Sequence, residues 1–499
     1  MLREALTFHN RGQLAEAAGL YRKILDSDPN SADALHLLGV IELQNRDAEN
    51  GLALMERAMA LRPVDPDILS NRGLALFGLQ RLTEALESYD RALAIRPRDP
   101  KSLSNRGNAL RGLGRPEEAI ASYDSALAMA PDYTDAFANK ANTLQDLNRF
   151  LEALACYDRA LAIDPNHVAA HHWRGNALHN MSRFREALAS YDLSLSLNPD
   201  LTEARANRAF TRLLLGDFMG GWQDYLYRES VRQMRPIPPA LPLPVDLRDS
   251  RVLVLREQGL GDELFYLRFA APLKARGATI LIRASESLAG MISRSGAADH
   301  VFSNDEKPSG IPHTVAAGDL PYLLGMASAA DIPPPLALTP LPDAQAAMAN
   351  RLAALGPAPY IGVTWRALRQ EVPRQELASA LAPVPGTLLA LQHLPEQGEV
   401  ENFAREAGRP VHDFSALNES LEDMLALLSI IDEYVCVSST NVLLRAGIRK
   451  TSRVLVSCPA DFHWMAEDQQ SPWFPGTSIY RQDQSGDWGR ALAALKADL

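Results

Sequence analysis

Residues 84–97 read EALESYDRALAIRP, and the spacing in this stretch decides the fold of the first half of the chain. Apolar and small side chains fall at Ala85, Leu86, Tyr89, Ala92 and Leu93, the i, i+3, i+4 rhythm of a helix with one buried face. Pro97 follows, and its fixed φ and missing N–H end the helix. Working outward, the proline recurs as Pro29, Pro63, Pro97, Pro131, Pro165 and Pro199, each step 34 residues. Tyr21, Tyr89, Tyr123, Tyr157, Tyr191 and Tyr225 keep the same period, with Met55 in the gap. Small residues keep it twice over, as Ala17, Gly51, Ala85, Ala119, Ala153, Ala187 and Gly221, and as Ala5, Gly39, Gly73, Gly107, Ala141, Gly175 and Ala209. Four sets in one phase mark an internal repeat.

The pattern resembles the tetratricopeptide (TPR) repeat over residues 1–230, as about six full repeats and a degenerate seventh. One hairpin cannot bury its faces alone, so the expectation is an all-α superhelix of stacked hairpins. Small residues let the two helices of a hairpin approach, and the tyrosine is expected to fill the space between neighbouring hairpins. Two asparagine sets stay in register: Asn71, Asn105, Asn139 and Asn207, and Asn108, Asn142 and Asn176. An amide both donates and accepts, so such a ladder can grip a peptide backbone without reading its side chains. It resembles the asparagine ladder in the TPR groove of O-GlcNAc transferase, although asparagines here also occur in TPRs of every function. His171, His172, Trp173 and His179 interrupt the ladder, with no carboxylate or thiol at ligand spacing to make a metal site.

The chain has 499 residues and a net charge of −11. That balance argues against general nucleic-acid or anionic-membrane binding, which wants a basic footprint. Three cysteines (Cys156, Cys436, Cys458) form no disulfide framework and fit a reducing, cytoplasmic setting. No apolar run long enough to span a bilayer is present, so no membrane insertion is expected.

Residues 231–250 hold Pro236, Pro238, Pro239, Pro242 and Pro244 and read as a semi-rigid linker. Beyond it the repeat vanishes. Short β-type runs, RVLVL (251–255), ATILIR (278–283), YIGVTW (360–365), TLLALQ (387–392), EYVCVS (433–438) and RVLVS (453–457), alternate with amphipathic segments such as ELFYLRFAAPLKARG and SLEDMLALLSII. Alternation of β and α implies parallel sheets covered by helices. The expected fold class is therefore α followed by α/β, the second part being two Rossmann-like lobes at 251–345 and 355–499. Ligands would meet the loops after residues 255, 365, 392 and 438.

The first of these loops, REQGLGDE (256–263), carries Gly259 and Gly261 for close backbone approach and Asp262 at a helix start. Asp262 has two readings, a cap on the helix N–H groups or a general base toward an acceptor hydroxyl. Thr364, Trp365 and Arg366 end a strand, where the guanidinium can pair with a diphosphate. Gln392 ends the next and is placed to meet a base or ribose. Ser438, Ser439, Thr440 and Asn441 open the helix NVLLRAG, which makes either an anion site or an ordinary cap. Trp464, Trp473 and Phe474 read as packing, and Arg445 as a phosphate support or a surface pair.

REQGLGDELFYLRFAAPLKARGA, IGVTWRA, LALLSIIDEYVCVSSTNVLLRAG and HWMAEDQQSPWFPGTSIYRQ together resemble bacterial TPR proteins whose C-terminal half is similar to heptosyltransferase-type glycosyltransferases of the GT-B fold. The resemblance covers nearly all of 251–499. It implies a base role for Asp262, a nucleotide sugar in the second lobe, no metal or other cofactor, and a polypeptide acceptor, such as a flagellin or surface protein, in the TPR groove. This chain departs from those relatives at Leu443, where they commonly have His, and at Ser438, where the better-known branch has Asp. The leading expectation is a TPR-guided protein glycosyltransferase acting on Ser/Thr. The alternative is a catalytically degenerate scaffold that recruits partners. Transfer to lipid or polysaccharide would leave the peptide-type solenoid unexplained.

Overall fold

The computed structural model describes residues 1–231, 243–302, 310–367, 370–467 and 469–499. Pro236, Pro238, Pro239 and Pro242 of the expected linker lie outside the described residues. The chain divides into two compact units, Met1–Ala177 and Leu178–Leu499.

The first unit is a run of antiparallel helix pairs, among them Pro66–Gly78 with Leu82–Ile95 and Pro100–Gly112 with Pro116–Met129. Pro97 and Pro131 each fall two residues past the second helix of their pair, as the spacing requires. The tight turn inside each pair needs a left-handed residue, supplied by Gln80 (φ 60°) in one and Gly114 (φ 71°) in the next. The tyrosine packs on the small residue of its own hairpin and also reaches the next one, where Tyr123 meets Thr143 and Tyr191 meets Thr211. A Cβ on Gly107 would stand 2.5 Å from Tyr123 Cε1, and one on Gly73 2.7 Å from Tyr89 Cε1. The small residue is thus the seat of the ring. Neighbouring hairpins are stitched by Arg62–Asp33 and Arg96–Asp67, both 2.7 Å. These pairs are about half exposed, so they fix register more than they stabilise.

The second unit begins inside the repeat array and includes the helices Phe184–Leu197, Thr202–Leu214 and Phe218–Tyr225. Its strands are β1 (Arg251–Leu255), β2 (Thr279–Arg283), β3 (His300–Phe302), β4 (His313–Ala316), β5 (Tyr360–Thr364), β6 (Arg366–Ala367), β7 (Gln370–Glu371), β8 (Thr387–Ala390), β9 (Val411–Asp413), β10 (Glu433–Val437), β11 (Arg453–Val456) and β12 (Ser478–Arg481). One parallel sheet has the order β3-β2-β1-β4, the other β12-β11-β10-β5-β8-β9, and β6-β7 form a small antiparallel ribbon. The central strands are near-continuous Val, Ile and Leu because both faces are covered. Strand order reverses between β1 and β4 in the first sheet and between β5 and β10 in the second. Such reversals open crevices at the carboxyl ends of the strands.

Two outcomes are expected in the first unit. Gly107→Ala should lower stability to urea by about 1–3 kcal/mol through the clash with Tyr123, whereas Gly19→Ala, with nothing within 4 Å of its added methyl, should raise it by about 0.5–1 kcal/mol. Separately, burial pushes His172 down to about 4, below the value near 6.5 of an exposed imidazole. The unfolded chain then binds the proton first, so this contribution is complete above about pH 6.5 and is lost as pH falls toward 4. His172→Phe should flatten that part of the stability profile.

Candidate functional site

The loop after β1 is held by charge. Glu257 is buried, accepting from Arg228 Nε at 2.8 Å, Gly318 N–H at 2.7 Å and Ser230 Oγ at 2.9 Å. Arg228 also donates to Asp319 Oδ1 at 2.8 Å. The backbone turn is made by Gln258 at φ +57°, an unusual conformation for a residue with a Cβ. Its amide is tied to Tyr225 Oη at 3.1 Å and Ser230 Oγ at 3.2 Å. Gly259, in contrast, has an ordinary φ of −91°, so the turn itself does not demand glycine there. At Gly261 the need is closeness: an added Cβ would lie 3.4 Å from Leu443 and 3.5 Å from Thr440. The GLGD bend thus faces the start of the helix Thr440–Gly447.

Asp262 is both a helix cap and part of a cavity wall. Its Oδ2 accepts from Gly259 N–H at 3.3 Å, as a helix cap would, and its side chain also lines a cavity of about 310 Å³ with Ser439, Thr440, Leu443 and His463. Burial pushes the carboxyl up, while the charge of His463 and the Gly259 N–H draw it back. A carboxylate made more basic in this way is suited to proton transfer.

A larger cavity of about 860 Å³ shares the wall Ser438–Thr440 and continues to Thr364, Arg366, Gln370 and Asn441. Its polar surface is mostly hydroxyl and amide. Ser439 Oγ is buried and makes no hydrogen bond of ordinary geometry among the described residues. Its contact is with the Tyr434 hydroxyl. Thr364 Oγ1 contacts Leu391 O at 3.0 Å and Tyr434 Oη at 2.9 Å, and Ser438 N–H donates to Gln370 Oε1 at 3.1 Å. Asn441 leans on Asn418 at 3.2 Å. Arg366 reaches the cavity but is paired with Glu399 at 2.8 Å, so an anion there would compete with a carboxylate.

Three of the sequence expectations require correction. Trp365 is fully buried, stacked on Phe403 at 4.5 Å with Nε1 bonded to Glu399, and is not a wall of either cavity. Gln392 is equally inward: its Oε1 accepts from the Trp365 and Arg366 N–H groups and its Nε2 donates to Arg366 O. It braces the loop that aims Arg366 and has little left for a ribose. Arg445 is neither a phosphate support nor a surface pair, since it is 2% exposed and donates to the carbonyls of Leu428, Ile431, Asp432 and Thr451. Trp464, Trp473 and Phe474 are buried, and Trp464 and Phe474 also line the small cavity.

The asparagine sets also separate. Asn108 and Asn142 accept the hydroxyls of Tyr123 at 2.8 Å and Tyr157 at 2.5 Å, so their carbonyl groups serve the hairpin. Asn71 bonds His36 Nε2 at 2.8 Å. Asn105, Asn139, Asn176 and Asn207 are part-exposed. His171 spends Nε2 on Pro165 O at 2.8 Å. Among the described residues no three His, Cys, Asp or Glu side chains gather as a metal site, and no helix is long and apolar enough to cross a membrane.

Tetratricopeptide-repeat models match residues 2–66, 64–132, 141–182 and 168–201, so a TPR array occupies about the first 200 residues. A curated relative, Protein FlbA of Caulobacter vibrioides, is 27% identical over 342 residues, covering 60% of this chain and 55% of that protein. The match is longer than the repeat array, and the chain spans about half the length of that relative. Among solved structures, the PilF protein of Pseudomonas aeruginosa is 20% identical, with 42% of this chain and 95% of that one covered at a TM-score of 0.36. YrrB, a TPR protein with an unusual peptide-binding site, is 19% identical, with 38% and 96% covered at a TM-score of 0.30.

The sequence reading did not single out His463, Asp461, Glu257 or Arg228. The first two lie two positions apart in a segment dominated by aromatics, and only the Asp-x-His spacing hinted at a pair. Replacing Arg228 by Met would leave Glu257 and Asp319 buried without their cation, and should cost the second unit about 3–5 kcal/mol in urea unfolding.

Proposed function

We propose that the second unit is a glycosyltransferase of GT-B type that takes a sugar from a nucleotide-sugar donor, and that the TPR array holds the polypeptide to be modified. One observation carries this reading: the GLGD carboxylate and the hydroxyl-rich helix start share a cavity at the strand-order reversals of two parallel sheets. The N–H groups of Ser439–Asn441 and Arg366 supply an anion site for a diphosphate. Asp262 meets the acceptor hydroxyl of a Ser or Thr and polarises it. Leaving-group charge is offset by these fixed donors, so the scheme asks for no metal. TPR arrays bind peptides and protein partners, which gives the first unit its role. Within the first unit, Asn105 and Asn139 are the better candidates for main-chain contact, because Asn108 and Asn142 are occupied by tyrosines and Asn71 by His36.

A second reading has its own observation. Leu443 presents an apolar side chain to the small cavity and can neither donate to phosphate nor move a proton, which suits a degenerate, partner-recruiting scaffold.

Calorimetry against UDP-, GDP- and ADP-linked sugars separates the two. The transferase reading expects binding that weakens on the order of 10-fold or more in Arg366→Ala, the worth of a charge-assisted contact. Asp262→Asn should leave donor binding in place and lower sugar transfer, read by intact mass of the acceptor, by about 100-fold. No binding at millimolar donor would favour the scaffold and end the transferase reading.

A further inference from the structure

The small cavity holds a titratable group that the preceding scheme leaves unused. Asp461 caps the one-turn helix Phe462–Trp464, accepting His463 N–H at 2.9 Å, and the same oxygen meets His463 Nδ1. The imidazole is clamped as well, edge-on to Phe265 with centroids 4.2 Å apart and stacked on Phe462 at 4.0 Å. Phe462 is in turn wedged against Trp222 and Trp473, so the segment is anchored in the aromatic core. Asp461 therefore selects the tautomer with the proton on Nδ1, and leaves Nε2 as the acceptor nitrogen. His463, Asp461 and Asp262 all line this one cavity, opposite Ser439 and Thr440.

We propose that His463, positioned by Asp461, takes the acceptor's proton during sugar transfer, with Asp262 orienting the acceptor hydroxyl beside it. This rests on reading the cavity as a glycosyl-transfer site. In the step, the hydroxyl oxygen bonds to the anomeric carbon. The bond from that carbon to the diphosphate oxygen breaks, and its electron pair leaves on the diphosphate. The hydroxyl proton ends on Nε2. The imidazolium so formed keeps Asp461 on its Nδ1, and the carboxylates that line the cavity, Asp262 and Asp461, suit the positive character that develops on the sugar ring. Asp461 acts only through His463, the division of labour found wherever a carboxylate orients a catalytic imidazole.

The test uses the full chain, with release of nucleoside diphosphate from the donor that binds, and water or acceptor protein as the nucleophile. His463→Ala should bind that donor as the parent does and turn it over on the order of 100-fold more slowly, and added imidazole should restore part of the rate. Asp461→Asn should slow turnover and, in side-chain ¹⁵N spectra, lose the Nδ1–H tautomer that the parent shows. Unchanged turnover in His463→Ala, a loss that imidazole does not rescue, or a parent ring protonated on Nε2 alone would overturn the inference and leave the transferase reading standing. A parent that binds donor but turns it over with neither water nor acceptor overturns the inference and the transferase reading together. A parent that binds no donor overturns both.

Discussion

The geometry of the second unit depends on one buried guanidinium. Arg228, just past the last helix of the array, is 3% exposed, and burial works against its charge. Glu257 and Asp319 offset that cost by accepting its N–H groups. Glu257 is the last residue but one before the GLGD bend, and Asp319 lies just past β4. A single cation thus ties together the two loops that flank the order reversal of the first sheet. Gln258 keeps its left-handed backbone only because this cluster over-determines it. The ion group is better understood as a device for position than for stability, since an apolar substitute of the same shape could hold the core equally well.

Much of the fold was legible because periodicity reports burial directly. The 34-residue phase placed every repeated proline, and the β-type runs at 251–255, 360–365 and 433–438 contain strands. Less visible were β3, β4, β9 and β12, of three or four residues each, too short for a period to show. The tyrosine's second seat, on the small residue of its own hairpin, was not legible, because sequence spacing gives the face of a helix and not every neighbour that meets it; the glycine clearances show it.

At the site, sequence reading found the residue types and missed how they are spent. Trp365 and Gln392 stand just past strand ends and Arg445 in the last turn of a helix, and each is consumed by its own surroundings. Strand-end position says that a side chain can reach the crevice, while hydrogen-bond accounting says whether anything remains to offer. By that accounting Asp262 and His463 remain. The two adjoining cavities share Asp461 and the segment Ser438–Thr440, with Arg366 on the larger side and Asp262 and His463 on the side of the GLGD bend.

The central claim is that these adjoining cavities receive an activated sugar. A crystal structure with a bound nucleotide sugar tests it most directly. The account expects the diphosphate on the N–H groups of Ser439–Asn441 with the anomeric carbon turned toward Asp262. Density for the nucleotide elsewhere on the chain, with the helix start still empty, would contradict it.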